Sequence, residues 1–319
     1  MMDELAAGSV DLITSVSGGT LINAGLDLVD EGKVEYTTYL RNGYGKLVYI
    51  CDFGPTQFPA VRQAIAYSLD RNEFAKQYSG GYAQVVNGYY GLGQWEYQMK
   101  KAEIDSQLNS YTFDLAKAEQ CLVDDGWTLN AKGEEYKKGT DDVRYKMVDG
   151  ELMACEIQWG MVDNEVSKLL ATMLPDNLAE IGIKLVPTSI DFSVLLNNLS
   201  REGIDKPVYH MFNMGVTFAR ENDCSYYYNT DKKYDQFNNN KIYDQELSDL
   251  ATAMIETDSS DKEGYADKWL EFEKRWNELL PDLPLYSDEY HEFFNPKLKN
   301  YETSASWGAR EQLIYCYVE

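Results

Sequence analysis

The sequence predicts an α/β protein, and three observations carry that reading. Met153, Cys155, Ile157 and Trp159 alternate as in a half-buried strand, Asn164 to about Leu174 is amphipathic at helical spacing, and Ile183 to Val186 is strand-like again. Such a crossover sets its two strands parallel in one sheet. A second unit follows, in which Asp191 is placed to cap a helix carrying Leu195, Leu196 and Leu199, and Val208 to Phe212 forms the next strand. The third observation is a helix beginning after Pro59. Val61, Ala64, Ile65, Ser68 and Leu69 recur there at helical spacing, so one face is apolar and packs on something.

Taken in order, residues 1 to about 51 read as a short helix, a turn and strands that end in Lys46 to Cys51. Pro55 and Pro59 break that pattern. Asp70, with Glu73 three residues on and Leu69 and Phe74 at the staple positions, starts a second helix, so the segment is a bent helix pair. A mostly helical stretch runs on to Trp127. Its last helix has Asp114 as N-cap, Gly126 just past its end and Trp127 set to pack back on Leu122. Ala131 to Thr140 is polar and turn-rich, which predicts a surface hairpin. Pro175 should kink or restart the helix that precedes it. Arg220 to Asn240 reads as a long surface loop. Of the two helices that follow, the second places Tyr265, Trp269, Phe272, Trp276 and Leu279 on one stripe, read here as core rather than as a ligand platform.

At 319 residues the chain can bury a sizeable core and hold two domains. Its formal net charge of −24 repels nucleic acid and anionic membranes, and the acids are spread along the chain, as befits solubility. The five cysteines are widely spaced and form no Cys-x-x-Cys, which argues against a disulfide framework and a thiolate metal site. No basic region followed by an apolar run opens the chain, and no 18 consecutive residues are apolar. Neither a signal peptide nor a membrane-spanning helix is expected within it.

Val61-Arg62-Gln63-Ala64-Ile65-Ala66-Tyr67-Ser68-Leu69-Asp70-Arg71 resembles a signature of the bacterial extracellular solute-binding proteins, family 5, that serve peptide and nickel ABC importers. Four further segments resemble that family in the right order: Ala7 to Ile13, Gly45 to Ile50, Tyr111 to Trp127 and Glu180 to Leu185. The resemblance implies a type II periplasmic-binding-protein-like fold, a lobe with a mixed sheet and flanking helices. It divides the chain into a remnant of the first lobe (1–51), a second ligand-binding lobe (52–288) and a return to the first lobe (289–319). It further implies a C-terminal portion of a longer protein, because Met1-Met2-Asp3 opens directly into a segment that lies well inside relatives, which carry an export signal and, in many Gram-positive members, a lipid-attached cysteine. An extracellular or cell-envelope location is expected.

Ligands of open α/β sheets collect beyond the carboxyl ends of parallel strands. That rule selects Trp159, Gly160, Asp163 and Asn164 after one strand and Asn213, Met214 and Gly215 after another. The alternative for Trp159 is core filling, and for Asp163 and Asn164 helix capping. Tyrosines cluster at Tyr89-Tyr90 and Tyr226-Tyr227-Tyr228, suited to a wet cleft. Peptide-binding relatives place an aspartate shortly after the strand equivalent to Val208–Phe212, where it receives the peptide ammonium. Here Asn213 to Ala219 is neutral, Phe218 included, and the first acids are Glu221 and Asp223 beside Arg220. Asp223 either substitutes, or the solute lacks a free amine at that point.

The enzyme reading finds no support. The two histidines, His210 and His291, belong to no His-Glu-x-x-His, and Gly-x-Ser-x-Gly and phosphate loops are missing. His210 falls on a strand and is read as structural. The resemblance therefore implies a monomeric, cofactor-free binding protein that captures a small peptide in an interlobe cleft and delivers it to membrane permease subunits. A nickel-chelate or saccharide carrier of the same fold is the alternative, and a hydrolase sharing the fold is the alternative of a different class.

Overall fold

The computed structural model describes residues 1–219 and 223–319. In chain order the first half contains α1 (Met2–Ala6), β1 (Leu12–Val16), α2 (Gly19–Asp30), β2 (Glu35–Leu40), β3 (Gly43–Tyr49), α3 (Pro59–Tyr67), α4 (Arg71–Ser79), β4 (Ala83–Gln84), α5 (Trp95–Gln107) and α6 (Leu115–Asp124). The second half contains β5 (Tyr145–Val148), β6 (Glu151–Ala154), β7 (Glu156–Met161), α7 (Glu165–Met173), α8 (Pro175–Glu180), β8 (Lys184–Ser189), α9 (Phe192–Ser200), β9 (Met211–Thr217), α10 (Gln245–Ile255), α11 (Lys262–Leu279) and β10 (Asp282–Phe294).

Eight strands form one mixed sheet in the order β1-β10-β3-β9-β7-β8, with β2 and β4 also paired to β10. The strand-helix-strand units behave as their pattern dictates: β7 runs parallel to β8 and to β9. The remaining pairings are antiparallel, so the sheet is mixed. Side chains alternate across it. Leu47 and Tyr49 face a core shared with Val61 and Ile65 of α3, Leu122 of α6 and Leu170 of α7. Tyr44 faces the opposite side, into a second core with Trp269, Phe272 and Trp276 of α11, so the aromatic stripe of that helix is indeed interior. Val48 packs with Leu195 and Leu199 of α9.

The helix starts follow their capping residues. Asp70 accepts a hydrogen bond from the Glu73 N–H at 3.0 Å, with Leu69 and Phe74 both fully buried, and Asp114 accepts from the Lys117 N–H at 3.0 Å. At the far end of α6, Gly126 takes a left-handed φ of 85° and the Trp127 N–H closes on the Leu122 carbonyl at 2.9 Å. Pro175 restarts the chain as the first residue of α8.

Several expectations are corrected. The first fifty residues contain a twelve-residue helix, α2, which the reading as turn and strands omitted. Its glycines conceal it and are needed for close approach: a Cβ on Gly25 would lie 2.4 Å from the Phe293 ring, and one on Gly19 would lie 2.7 Å from the Ser79–Gly80 backbone. The regular surface hairpin is β5–β6, not 131–140, which is turns joined by a bridge between Leu129 and Glu135. Met153 belongs to that hairpin, and the sheet strand begins only at Glu156. β9 spans Met211–Thr217 rather than Val208–Phe212, because it pairs antiparallel with β3 over seven residues, from Tyr49↔Met211 to Gly43↔Thr217. His210 therefore precedes the strand instead of lying within it. The loop expected on the surface is partly interior: Tyr228, Asn238 and Asn240 are buried.

Candidate functional site

β3, β9 and β10 meet at a cleft of about 220 Å³ lined by Lys46, Tyr89, Val216 to Ala219, Asp223, Tyr227, Tyr228 and Asn240. Lys46 sits in the middle strand, where its neighbours Leu47 and Val48 are fully buried. Its ammonium is held by the Asp282 carboxylate at 2.6 Å, so the charge is paired before any solute arrives. The other Asp282 oxygen accepts from the Asn240 side chain at 2.8 Å. That network joins the sheet to the 223–240 segment. It fixes the floor of the cleft.

The walls are aromatic. Tyr89 lies edge-on to Phe218 (4.7 Å between ring centroids) and to Tyr228 (5.3 Å), while the Tyr228 hydroxyl accepts from Trp276 Nε1 at 2.7 Å. Burial raises the Tyr89 and Tyr228 phenols well above their ordinary range, so both remain neutral. Beneath Tyr89, its N–H donates to Glu273 Oε2 at 2.6 Å. Burial likewise holds the Glu273 carboxyl well above the usual carboxylate range. What the cleft presents is therefore one paired cation, the Asp223 carboxylate held by Ser225, amide groups and apolar ring faces. It suits a small polar solute with apolar parts.

The residues selected from sequence fall into two groups. Trp159 is fully buried, its Nε1–H donates to Asn213 Oδ1 at 3.2 Å, and Asn213 Nδ2 in turn donates to Ser167 Oγ at 3.0 Å. Gly160 lies against the Phe212 ring and Ile190, where a Cβ would come within 2.8 Å of both. Asn164 caps α7 by accepting from the Ser167 N–H at 2.8 Å, and Asp163 is exposed and paired with Lys168 at 2.8 Å. Trp159, Asn213 and Ser167 thus form a polar joint inside the sheet layer, while Asp163 and Asn164 stand at the surface. Asn213 to Gly215, expected in a loop, lie within β9; Met214 is half-buried against the α9 core, and the place of a Cβ on Gly215 is 2.9 Å from Arg41 Nη2. Phe218 and Asp223 alone of the selected residues line the cleft. Asp223 Oδ1 accepts from the Ser225 N–H at 2.9 Å and from its hydroxyl at 2.6 Å. Glu221 and Arg220, weighed with Asp223 as charged neighbours, lie outside the described residues.

Lys46, Asn240 and Asp282 were missed. A lysine inside an apolar run was the available signal for Lys46, and the two tyrosine clusters pointed to Tyr89, Tyr227 and Tyr228. Nothing local marks Asn240, because its partners are 42 and 191 positions away.

A family model described as bacterial extracellular solute-binding proteins, family 5 Middle, matches residues 1–238. The chain belongs to that family. No curated protein matches it in sequence. Among solved structures, the fold of this family 5 chain is similar to that of the oligopeptide-binding protein AppA from Bacillus subtilis in complex with a nonapeptide (TM-score 0.78, 18% identity, 100% of this chain and 58% of that one). It is also similar to the oligopeptide-binding protein from Thermus thermophilus complexed with pentapeptide (TM-score 0.74, 20% identity, 96% and 52%). A third likeness is to NikA from Brucella suis in complex with Fe(III)-EDTA (TM-score 0.71, 17% identity, 100% and 59%). The chain thus spans just over half the length of these structures. The type II periplasmic-binding-protein fold expected from the signature is the fold observed.

Proposed function

We propose that this chain forms part of the solute-binding component of an ABC importer, one that captures a small peptide between two lobes and presents it to membrane permease subunits outside the cytoplasm. The observation that carries the reading is the cleft at the end of β9, where Tyr89, Phe218, Tyr227 and Tyr228 surround a lysine already neutralised by Asp282. Ring faces accept side chains of varied shape, and amides accept a peptide backbone, without a fixed demand for charge. Two structurally similar proteins hold peptides, which supports the same class here. Closure is a hinge motion that buries the solute, and no bond is made or broken.

Mass spectrometry of solute released from protein isolated natively from cells should detect a short peptide. A nickel chelate or a sugar in its place, at stoichiometric yield, would overturn the peptide assignment. Incubation with peptide, ester and glycoside substrates should give turnover no greater than buffer, and an activity abolished by one carboxylate substitution would favour the hydrolase alternative.

A further inference from the structure

A second cavity, of about 440 Å³, opens beside the first between the start of α5, the end of α10 and the start of α11. Its apolar lining is Trp95, Met254, Ile255 and Tyr265, and Asp223 is common to both cavities. Trp95 is 43% exposed although it stands on a packed helix, and its ring packs on that of Tyr265, 5.6 Å away at 36°, so the pair forms one aromatic wall of the opening. Four carboxylates line the space against one lysine, Lys262. Three of them are engaged locally: Asp223 with Ser225, Asp258 with the Ser260 N–H at 2.9 Å, and Asp261 with the Gly264 N–H at 2.9 Å. Glu96 differs. It is only 5% exposed, its carboxylate accepts from its own backbone N–H, and among the described residues it forms no ion pair.

A buried carboxylate without a cation is unfavourable unless its proton is retained or a positive group arrives. Aromatic faces within about 6 Å of a cation add attraction of their own. From this we propose that the Trp95–Glu96–Tyr265 pocket binds an organic cation, a guanidinium or alkylammonium group, with Glu96 as its counter-ion and the exposed ring of Trp95, backed by Tyr265, as its wall. The carrier of that group is a basic side chain of the solute held in the neighbouring cleft, an extension that rests on the peptide-binding reading. Asp223 marks where the two cavities join.

The test uses arginine amide and its neutral isostere citrulline amide, followed by Ala-Arg-Ala and Ala-Ala-Ala, in titration calorimetry of the purified protein. Arginine amide should bind saturably and at least tenfold more tightly than citrulline amide, and Glu96→Gln should abolish the difference while leaving the circular dichroism spectrum and the melting transition in place. Trp95→Leu should weaken arginine amide about as much, which keeps the test informative if the Glu96 variant does not fold. Equal binding of the two amides, or discrimination that survives Glu96→Gln, overturns the proposal. If both tripeptides bind equally, the solute's basic side chain does not enter the pocket and the extension to the neighbouring cleft is overturned, while the peptide reading stands. Should neither tripeptide bind while arginine amide does, the peptide reading fails and the pocket stands.

Discussion

The backbone N–H of Gln158 donates to Nδ1 of His210 at 3.0 Å, which assigns the neutral ring with its proton on Nε2. Burial lowers this imidazole from 6.5 to about 4, and a second proton must break that bond. The folded chain therefore binds fewer protons than the unfolded one between those values. Its contribution to stability is complete above about pH 6.5 and is lost as the pH falls toward 4. Glu273 has the opposite sign. Burial raises its carboxyl well above 4.5, so its contribution is present below that value and is lost as the pH rises. Urea midpoints should fall on both sides of a mildly acidic optimum. His210→Gln should flatten the acid limb and Glu273→Gln the limb above pH 4.5; parallel curves for wild type and variants would reject both assignments. Asp223 offers a different case, because one of its oxygens is already committed to Ser225. Asp223→Asn should change peptide affinity by far less than the roughly 2–5 kcal/mol expected when one partner of a buried charge pair is removed. A calorimetric loss of that size would make Asp223 the amine receptor.

Helix α6 is the element in which local rules act most nearly alone, since both its ends are closed by its own sequence. Asp114→Ala should cost about 1 kcal/mol by removing the acceptor for the Lys117 N–H. Gly126→Ala should cost about 1–2 kcal/mol, because the left-handed φ at that position crowds a Cβ. Denaturant titration of each variant measures these directly, and values near zero would mean that tertiary packing, not capping, holds the helix. Legibility in the sequence follows the same division. Elements with local signals, such as α3, α4, α6, α7 and the parallel pair β7–β8, were readable from spacing and caps. α2 was not, since Gly19 and Gly25 weaken its helical pattern for the sake of contacts with Ser79 and Phe293, far along the chain. β9 was placed early because its partner, β3, lies about 170 positions upstream and only that pairing sets its ends. For the same reason the Lys46–Asp282–Asn240 floor of the cleft was invisible, whereas its tyrosine walls left a compositional trace.

At the scale of the molecule the sheet is tied across its centre by Arg41, whose guanidinium pairs with Asp288 of β10 at 3.1 Å and donates to the Val216 carbonyl of β9 at 2.9 Å. Both charged groups are buried, Asp288 completely. Arg41→Ala should cost about 3–5 kcal/mol, since it strands that carboxylate without its partner. Equilibrium unfolding checks this; a loss under about 1 kcal/mol would show that Asp288 simply takes up a proton. The same strand has a bearing on biosynthesis. Among the described residues β1 and β2 pair with β10 alone, and β10 is synthesised about 240–280 residues after them. At ~5–20 residues per second, Asp282 is made roughly 13–50 s after Val16. Throughout that interval β1 and β2 are without the β10 backbone groups they pair with in the finished sheet. Ribosome-stalled chains ending before Asp282 should consequently be cut by protease between Leu12 and Leu40, and the released chain that includes β10 should be protected there.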